Sequence, residues 1–417
     1  MDANATTGGL VGRAQESPLL AVGCDFRTAS TVFRETLLTT ADERRALFEG
    51  IRRSDPDAGF MAVETCNRVE WVISTEQPAW VGELLLAQML QRWHQRFGEG
   101  AELPSLVLHS GRAAAEHLFR VAAGLESLAQ GEAEIAGQLQ AALQRAQEEG
   151  TSTRVLNGLG RFVGGMARSA QRLGLRSSFH RGIHVLTAWF LERRLGAGSR
   201  HVGVAGMGEI GRKTADFIEQ HLGWKVERLN RTVAGHEGRW RPLGDLPGLL
   251  PELEALVIAT GARAPVFSAA LLGPGPRAGR LLVVDLGIPG QVQPGARALP
   301  WLDLVPVDAL AEVGHPAEDP ARASLEIVVQ QQVARFNRFC LERYVVGLLR
   351  RAQEKRLELV HGDVEGRLLR ELPELDAATR GQVAELLRDV VRGYAHGVFE
   401  SVHDALEEGW RNARDSE

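Results

Sequence analysis

The stretch Arg200-His-Val-Gly-Val-Ala-Gly-Met-Gly-Glu-Ile-Gly211 decides the fold of the central part of the chain. An apolar run over 200–205 that ends in a cluster of glycines is typical of a buried strand, and helical spacing follows over 212–221. A strand, a glycine turn and a helix in this order predict the first unit of a Rossmann-type parallel sheet. Further strands of the same sheet are predicted for three apolar runs, at 225–229, 255–260 and 281–286.

The glycines of this turn have separate functions in a dinucleotide site. Gly206 permits the tight turn, Gly208 lets the backbone approach a pyrophosphate, and Gly211 allows the helix to pack closely on the strand. The helix then presents free N–H groups and the positive end of its dipole to the phosphates. We therefore predict a dinucleotide site; the alternative is a glycine turn without a ligand.

The end of the second strand distinguishes the two nicotinamide cofactors. A site for NAD places Asp or Glu there to bind the ribose hydroxyls, whereas this chain has Leu229-Asn-Arg-Thr232. Arg231 is suited to stack on adenine and to pair with a 2′-phosphate, and Thr232 is suited to donate a hydrogen bond to it. NADPH is therefore the predicted cofactor. The predicted cofactor-binding residues are Gly206, Gly208, Glu209, Ile210, Gly211, Asn230, Arg231 and Thr232.

Other patterns flank this unit on both sides. Residues 18–110 alternate strand-like runs with amphipathic helices, the first of which opens with a Thr40/Glu43 capping box, and they predict a small sheet with helices on one face. Residues 111–195 and the segment from Asp319 onward have apolar residues at helical spacing. The long helical ending is typical of a segment that packs against another copy of itself.

Composition limits the class of protein. The chain has 417 residues and a net charge of −5, which argues against a protein that coats nucleic acid nonspecifically. Its three cysteines provide no disulfide framework, as expected of a cytoplasmic protein, and no Cys/His cluster has the spacing of zinc ligands. Residues 1–17 are mostly small and polar and predict a disordered tail. No apolar run is long enough to cross a membrane.

Cys66 is the candidate nucleophile. It lies in Glu64-Thr-Cys-Asn-Arg-Val-Glu70, just after the strand-like run 60–63, and Arg68 places a positive charge two residues away. A neighbouring cation favours thiolate over thiol, which would activate the sulfur at neutral pH. Taken alone, the heptapeptide is also compatible with a small buried hydrophobe at a strand end, as most free cysteines are.

A row of arginines marks the helical region before the glycine loop. Residues 150–191 contain no Asp or Glu, and the first five arginines of this segment are spaced by seven, seven, four and four residues. This spacing places them on one helix face, which would suit a phosphate backbone or simply be a solvated face. The arginines are Arg154, Arg161, Arg168, Arg172, Arg176 and Arg181.

Five segments in a fixed order resemble the glutamyl-tRNA reductase family. The first, Glu64–Glu70, is similar to the family's Ser-Thr-Cys-Asn-Arg-Thr-Glu. The second begins at His117-Leu-Phe-Arg-Val-Ala-Ala-Gly-Leu-Glu-Ser127 and extends to Gln138. The other three are the Gly206 loop, Asn230-Arg-Thr232 and Val284-Asp-Leu-Gly-Ile-Pro289.

The resemblance implies a reaction. It is the NADPH-dependent reduction of glutamyl-tRNA to glutamate-1-semialdehyde through a cysteine thioester, the first step of five-carbon tetrapyrrole synthesis. Cys66 would attack the ester carbonyl, and His117 would assist proton transfer or polarise that carbonyl. Arg68 corresponds to the residue that pairs with the carboxylate of the substrate side chain. The implied substrate-binding residues are Arg68, Asn67, Thr28, Thr65, Ser127, Glu132 and Gln138.

The resemblance also implies an architecture and partners. The family fold combines an α/β catalytic domain, a long spinal helix, a Rossmann-type NADP domain and a helical dimerisation domain. On this chain the predicted boundaries are a tail at 1–17, the catalytic domain at 18–175, the NADPH domain at 176–315 and the dimerisation domain at 316–417. The implied partners are aminoacylated tRNA, a second copy of the chain, an aminomutase that receives the product, and haem as a regulator.

Departures from the family pattern leave alternatives open. The family's Gly-x-Asn-His-Lys-Thr-Ala-Pro has become Gly23-Cys-Asp-Phe-Arg-Thr-Ala-Ser30, so that an acid and an aromatic ring, Asp25 and Phe26, replace two polar groups. Asp25 would repel a substrate carboxylate if it pointed into the pocket. One alternative is a paralogue that reduces another aminoacyl-tRNA or thioester in a specialised pathway. Another is a non-catalytic descendant that binds tRNA, NADPH or haem.

Overall fold

The computed structural model describes residues 17–101, 105–128, 134–172, 182–196, 198–236, 238–273, 279–313, 320–387, 389–390, 393 and 397. Most of the predicted tail and Glu132 therefore lie outside the described residues, as do Arg176 and Arg181. The chain divides into two compact units, one over Ser17–Phe336 and one that includes the described residues from Asn337 onward. The predicted domain boundaries stay predictions.

The first unit opens with a four-stranded antiparallel sheet. The strand order is β2-β3-β1-β4, and β2 and β3 form a hairpin in which Glu64 pairs with Val69. The strand-like run predicted over 60–63 is confirmed as part of β2, whereas the short fourth strand was not predicted. The strands are β1 (Leu19–Asp25), β2 (Gly59–Glu64), β3 (Arg68–Ser74) and β4 (Val107–Ser110).

Helices cover both faces of this sheet. One face packs on three helices that belong to residues 18–110, the first of which was not predicted, with Leu20 and Trp71 in a shared core. The other face is covered by three helices that follow β4 and contact β1, β2 and β3. Double coverage explains why the strands are apolar almost throughout rather than alternating. The helices are α1 (Thr31–Leu37), α2 (Ala41–Arg52), α3 (Pro78–Phe97), α4 (Gly111–Ala122), α5 (Glu134–Glu148) and α6 (Arg154–Arg172).

The outer edge of β2 is covered by neighbouring chain. Phe60 N donates to the carbonyl oxygen of Thr151 (2.8 Å), and Thr151 Oγ1 donates back to the carbonyl oxygen of Phe60 (2.8 Å). Arg145 Nη2 donates to the carbonyl oxygen of Ala62 (3.3 Å). The N–H and carbonyl groups of Phe60 and the carbonyl group of Ala62 are therefore satisfied within the chain.

The arginine row on α6 is exposed. Leu156, Leu159, Val163 and Met166 bury the opposite side of the helix. The predicted placement on one face is confirmed for the part of the row that the structure describes, which is Arg154, Arg161, Arg168 and Arg172.

A six-stranded, fully parallel sheet forms the second half of this unit. Its order is β10-β9-β8-β5-β6-β7, so the chain moves outward from β5 through β7 and then continues from the other side of β5. This reversal between β5 and β8 is the arrangement of a dinucleotide-binding sheet. The strands are β5 (His201–Ala205), β6 (Lys225–Asn230), β7 (Arg241–Pro242), β8 (Ala255–Ile258), β9 (Leu281–Asp285) and β10 (Leu302–Pro306).

The helices of this sheet differ slightly from prediction. The helix after the glycine loop begins at Glu209 rather than Arg212, and it continues as a π-helical turn over Ile218–Leu222. A short strand that was not predicted, β7, pairs with the end of the second strand, because Leu229 and Asn230 pair with Arg241 and Pro242. The helices are α7 (Ile183–Leu195), α8 (Glu209–Phe217), α9 (Leu246–Leu249), α10 (Ala269–Leu272) and α11 (Pro294–Arg297).

The remaining described chain is helical, as its spacing predicts. Helix α12 (Pro320–Glu371) contains 52 residues. After it, the Asp376 carboxylate accepts hydrogen bonds from the backbone N–H groups of Ala378 (2.9 Å) and Thr379 (3.0 Å) and opens the next helical segment. In the described part of the chain, no helix is both long enough and apolar enough to span a membrane.

The predicted capping box of α2 is present and can be tested. Thr40 Oγ1 accepts from Glu43 N (3.3 Å), and Glu43 Oε2 accepts from Thr40 N (2.7 Å). We expect Thr40→Ala to lower the free energy of unfolding by about 1 kcal/mol, because the N–H group of Glu43 loses its fixed acceptor. Urea denaturation of the full chain measures this. Thr40→Ser keeps the hydroxyl and should retain the stability; an equal loss in both variants would contradict the capping role.

Candidate active site

The candidate nucleophile lies in a tight hairpin connection. Thr65, Cys66 and Asn67 join β2 to β3, and Thr65 Oγ1 accepts hydrogen bonds from the N–H groups of Asn67 (3.2 Å) and Arg68 (3.2 Å). The carbonyl oxygen of Cys66 accepts from Arg34 Nη2 (3.1 Å). Cys66 is half-buried, so its loop is fixed while the residue remains partly accessible.

The other two cysteines are structural in character. Cys24 lies on β1 and Cys340 on α12, and both are buried. Burial raises the pKa of the Cys340 thiol to about 12. Burial also raises the pKa of Cys24 to about 12 although Arg34 acts in the opposite direction. Neither thiol ionises near neutral pH, which leaves Cys66 as the candidate.

Arg68 and His117 meet in a buried ionic cluster. Arg68 Nη1 donates to Glu70 Oε1 (2.8 Å), and Arg68 Nη2 donates to the carbonyl oxygen of Glu126 (2.5 Å). His117 lies between two carboxylates, with Nε2 at 3.0 Å from Glu70 and Nδ1 at 3.0 Å from Glu126. The ring of His109 stacks on that of His117. The structure thus joins Arg68 and His117, both predicted from the motifs, through the Glu70 carboxylate, which was not predicted.

The carboxylates set the charge of His117. Burial alone would lower its pKa, but Glu70 and Glu126 raise it to about 9. Burial would raise the pKa of Glu70, but His117 and Arg68 lower it to about 2. Burial acts likewise on Glu126, yet hydrogen bonding to His117 holds its pKa well below the usual range. At neutral pH His117 is therefore an imidazolium with a carboxylate on each nitrogen.

Three polar atoms beside this cluster have no partner within the described chain. They belong to Asn67, Arg68 and Ser127, and all three residues are almost fully buried. An unsatisfied buried polar group costs about 1–3 kcal/mol, so such atoms are expected to receive a ligand or water. The atoms are Asn67 Oδ1, Arg68 Nε and Ser127 Oγ.

At the end of β1, where the sequence departs from the family pattern, the charges of neighbouring residues neutralise each other. Asp25 is buried, and its carboxylate accepts from the backbone N–H (2.8 Å) and from Nε (2.9 Å) of Arg27. Arg27 Nη2 also binds Glu126 (3.0 Å). The negative charge of Asp25 is thus matched by Arg27. Phe26 packs against the core of the parallel sheet instead of adding a polar group.

The remaining predicted substrate residues are more scattered. The Thr28 hydroxyl stays within its own turn, where it accepts from Asp25 N (3.2 Å). Gln138 is half-buried on α5, and in the described part of the chain no hydrogen bond links it to the ionic cluster. Glu132 lies outside the described residues.

The glycine loop has the geometry that a dinucleotide requires. Gly206 has a φ of 99°, and a Cβ there would lie 2.5 Å from the carbonyl oxygen of Ala259. A Cβ at Gly211 would overlap the carbonyl oxygen of Gly206, so α8 packs directly on the turn. A Cβ at Gly208 would meet no other atom within 4 Å. This open space leaves room for a pyrophosphate.

The end of β6 supports this loop. Asn230 Oδ1 accepts from Met207 N (3.2 Å) and holds the turn against the strand. Arg231 and Thr232 are exposed directly after it, in position to meet a ligand. Glu209 pairs with Lys213 (2.7 Å) one turn along α8, and Ile210 packs on the core. Among the described residues, no group of three His, Cys, Asp or Glu side chains could hold a metal ion.

Comparisons with known proteins agree with both halves of this arrangement. Residues 22–172 match the model of the glutamyl-tRNAGlu reductase N-terminal domain, and residues 192–313 match that of shikimate / quinate 5-dehydrogenase. The glutamyl-tRNA reductase of Myxococcus xanthus is 28% identical over 397 residues, which cover 91% of this chain and 87% of that protein. The chain is thus similar to glutamyl-tRNA reductases over most of its length. The predicted resemblance to this family and the predicted fold class are thereby confirmed.

Other similar proteins are also named glutamyl-tRNA reductase. The glutamyl-tRNA reductase of Geobacillus kaustophilus is 28% identical over 402 residues, covering 89% of this chain and 86% of that protein. Among solved structures, glutamyl-tRNA reductase from Methanopyrus kandleri is 21% identical, with a TM-score of 0.39 over 94% of this chain and 99% of that one. These similarities, with the match to a dehydrogenase domain, confirm the prediction of an oxidoreductase with a nicotinamide cofactor. The choice of NADPH stays a prediction.

Several residues of this glutamyl-tRNA reductase homologue were missed by sequence reasoning. Glu70 and Glu126 both lie inside the quoted motifs, and the two-residue spacing of Arg68 and Glu70 on one strand predicts that they share a face. Arg34 and Asp308 are 274 residues apart and have no local signal.

The two glycines that differ in free space allow a matched test of the cofactor loop. We expect Gly208→Ala to keep the melting temperature but weaken NADPH binding, because its methyl group would occupy the pyrophosphate approach. Gly211→Ala should lower both the melting temperature and the affinity for NADPH, since its methyl group forces the turn itself to move. Thermal unfolding and fluorescence titration with NADPH measure the two quantities. Unchanged NADPH affinity in Gly208→Ala would contradict this placement.

The ionic cluster predicts a pH dependence of stability. The pKa of His117 is about 9 in the folded chain and about 6.5 in an unfolded one. The contribution of charged His117 to the stability of the folded chain is therefore fully present below a pH of about 6.5 and is lost as the pH rises through about 9. We expect the melting temperature to fall between pH 7 and pH 10, and to fall less steeply in His117→Gln. If the melting temperature fell equally steeply with pH in the wild-type chain and in His117→Gln, His117 would not be charged as described.

Proposed function

We propose that this chain reduces glutamyl-tRNA to glutamate-1-semialdehyde with NADPH, the first step of five-carbon tetrapyrrole synthesis. The observation that carries this proposal is the position of the Cys66 loop. Through Arg34, the loop is bonded to Asp308, directly after β10, at the carboxyl edge of the parallel sheet. The glycine loop opens at that same edge, where dinucleotides bind in such sheets. A nucleophile and a nicotinamide site within one compact unit suit a thioester reduction.

In the proposed reaction, Cys66 provides the covalent step. Its thiolate attacks the carbonyl carbon of the ester, a C–S bond forms, and the C–O bond to the tRNA ribose breaks. NADPH, when bound, supplies the hydride that converts the thioester to an aldehyde. Arg231 and Thr232 would hold its 2′-phosphate, since no acidic residue occupies that position.

The unsatisfied atoms beside Cys66 suit an amino-acid substrate. A carboxylate can accept hydrogen bonds from Arg68 Nε and Ser127 Oγ, and an ammonium group can donate to Asn67 Oδ1. Binding would satisfy three atoms that otherwise remain buried without partners. Thr28, Thr65, Glu132 and Gln138 stay predictions as substrate contacts.

His117 would act mainly as a fixed cation. Both of its ring nitrogens already meet carboxylates, and its pKa of about 9 keeps it protonated at neutral pH. It is thus poorly suited to remove a proton from Cys66. As an imidazolium it holds Glu70 and Glu126 in place, and these in turn fix Arg68.

A second candidate is a reductase for another aminoacyl-tRNA. The guanidinium of Arg68 has both terminal nitrogens engaged by Glu70 and Glu126, so its planar fork is not presented to a substrate carboxylate. This engagement of Arg68, with the replaced residues Asp25 and Phe26, favours a substrate with a different side chain.

Under either candidate the tRNA would meet the exposed arginine row of α6. A second copy of the chain, an aminomutase, haem and a cytoplasmic location stay proposals.

The decisive test identifies the aldehyde product. The purified chain is incubated with NADPH and bulk tRNA charged with all amino acids, and aldehydes are trapped for mass spectrometry. We expect glutamate semialdehyde, its loss in Cys66→Ser, and its retention in Cys340→Ala as the matched control. A different amino aldehyde would support the second candidate. The absence of any aldehyde would leave a binding protein as the remaining interpretation.

A further inference from the structure

Helix α1 joins the cysteine loop to the dinucleotide-binding sheet. Thr31 donates to Asp308 Oδ2 through its backbone N–H (3.0 Å) and through its hydroxyl (2.7 Å). Arg34 Nη2 donates to Asp308 Oδ1 (2.5 Å). Asp308 belongs to the 3-10 turn Val307–Val313 that directly follows β10. These bonds therefore cross from the helices of the first sheet to the second sheet.

Arg34 is central because its other bonds lead to the cysteine loop. The same Nη2 donates to the carbonyl oxygen of Cys66 (3.1 Å), and Nη1 donates to that of Ala29 (2.7 Å). The side chain is 0% exposed, so separation from Asp308 would leave a buried charge without its counterion. One planar, rigid group thus fixes the Cys66 carbonyl relative to the Asp308 carboxylate.

Glu35 makes a separate bond to the same sheet. Its Oε1 accepts from Gly290 N (2.6 Å) in the loop after β9. That loop is itself held by Asp285, which accepts from the N–H groups of Gly287 (3.0 Å) and Gln291 (2.6 Å). We call these bonds the α1 link; its residues are Thr31, Arg34, Glu35, Gly290 and Asp308.

The α1 link lies on one side of the nucleotide fold. Its two attachment points follow β9 and β10, which lie beyond the chain reversal between β5 and β8. The glycine loop and the end of β6, which are suited to the adenosine half, belong to the other side. In a sheet of this order the nicotinamide half lies over the strands beyond the reversal. The link therefore attaches the cysteine loop beside the expected hydride donor.

We propose that Arg34, Glu35 and Asp308 are positioning residues that hold the Cys66 thioester at the nicotinamide end of the cofactor. The proposal rests on the proposed function, whichever aminoacyl group is the substrate. It separates the two chemical steps. Thioester formation needs only Cys66 and the ester, whereas reduction also needs the thioester carbon to be placed against the hydride donor.

The atoms balance in both steps. In the first, the C–S bond forms, the ester C–O bond breaks, and the tRNA leaves with a proton on its ribose oxygen, equivalent to the one that the Cys66 thiol lost to solvent on ionisation. In the second, hydride adds to the thioester carbon, the C–S bond breaks, and Cys66 returns as thiolate. NADPH is oxidised to NADP⁺ while the thioester is reduced to the aldehyde. Release of tRNA therefore reports the first step, and aldehyde formation reports the second.

The test compares the two steps in single-turnover experiments with the full chain and charged tRNA. Asp308→Asn keeps the shape of the side chain but removes the charge that anchors Arg34. We expect aldehyde formation with NADPH to slow by about 10- to 100-fold, and tRNA release without NADPH to change by less than about threefold. Asp308→Glu restores the charge and should recover part of the reduction rate.

A second variant addresses the possibility that Asp308→Asn does not fold. Glu35→Ala removes the bond to Gly290 and leaves the buried ion pair of Arg34 intact, and we expect the same selective loss of reduction. Glu254→Gln is the matched control. It weakens the ion pair with Arg200 (2.7 Å) at the opposite, amino end of β8, and both steps should stay unchanged.

The outcomes separate this inference from the proposed function. Equal slowing of both steps in Asp308→Asn and Glu35→Ala would show a purely structural role and overturn the inference. Unchanged reduction in both variants would overturn it as well. Failure of the wild-type chain to release tRNA in a Cys66-dependent manner would instead contradict the proposed function on which the inference rests.

Discussion

The loop that carries Cys66 depends on two guanidinium groups that have been removed entirely from solvent. Arg68 follows the loop and Arg34 reaches its backbone from α1, and both side chains are 0% exposed. A buried guanidinium is stable only with a carboxylate partner and further acceptors. Glu70 fulfils this requirement for Arg68 and Asp308 for Arg34. The need to neutralise these charges therefore ties the hairpin inward to the ionic cluster and outward to the parallel sheet.

The same requirement explains how the end of β1 tolerates its unusual sequence. An acid at Asp25 near the ionic cluster would be unfavourable alone, yet Arg27 lies against it and also reaches Glu126. Glu126 is in turn shared with His117 and with Arg120, which pairs with Glu326 of α12. Each cation in this chain of contacts has an anion beside it. The residues that depart from the family pattern thus form a self-consistent set.

The sequence predicts features that depend on neighbours along the chain. The capping box at Thr40, the glycine turn and most strands follow from local spacing, and Cys66, Arg68 and His117 follow from short motifs. Short elements were missed, because two to seven residues contain too little periodicity to be recognised. They are α1, α9, α10, α11, β4, β7 and β10. The bond between Arg34 and Asp308 could not be predicted, because it joins residues 274 apart that no local pattern relates. Likewise, only folding brings Glu70 and Glu126 to opposite nitrogens of His117.

The covered edge of β2 has a consequence for assembly. An exposed edge strand is a template for pairing with another chain, and β2 leads directly into the loop of the nucleophile. Here Thr151 already occupies the N–H and carbonyl groups of Phe60, and Arg145 occupies the carbonyl group of Ala62. Addition of a strand at the β2 edge, whether in a dimer or in an aggregate, would first have to displace these contacts. At these positions the β2 edge is therefore closed to pairing with another chain, and the register of the hairpin that carries Cys66 is insulated from such pairing.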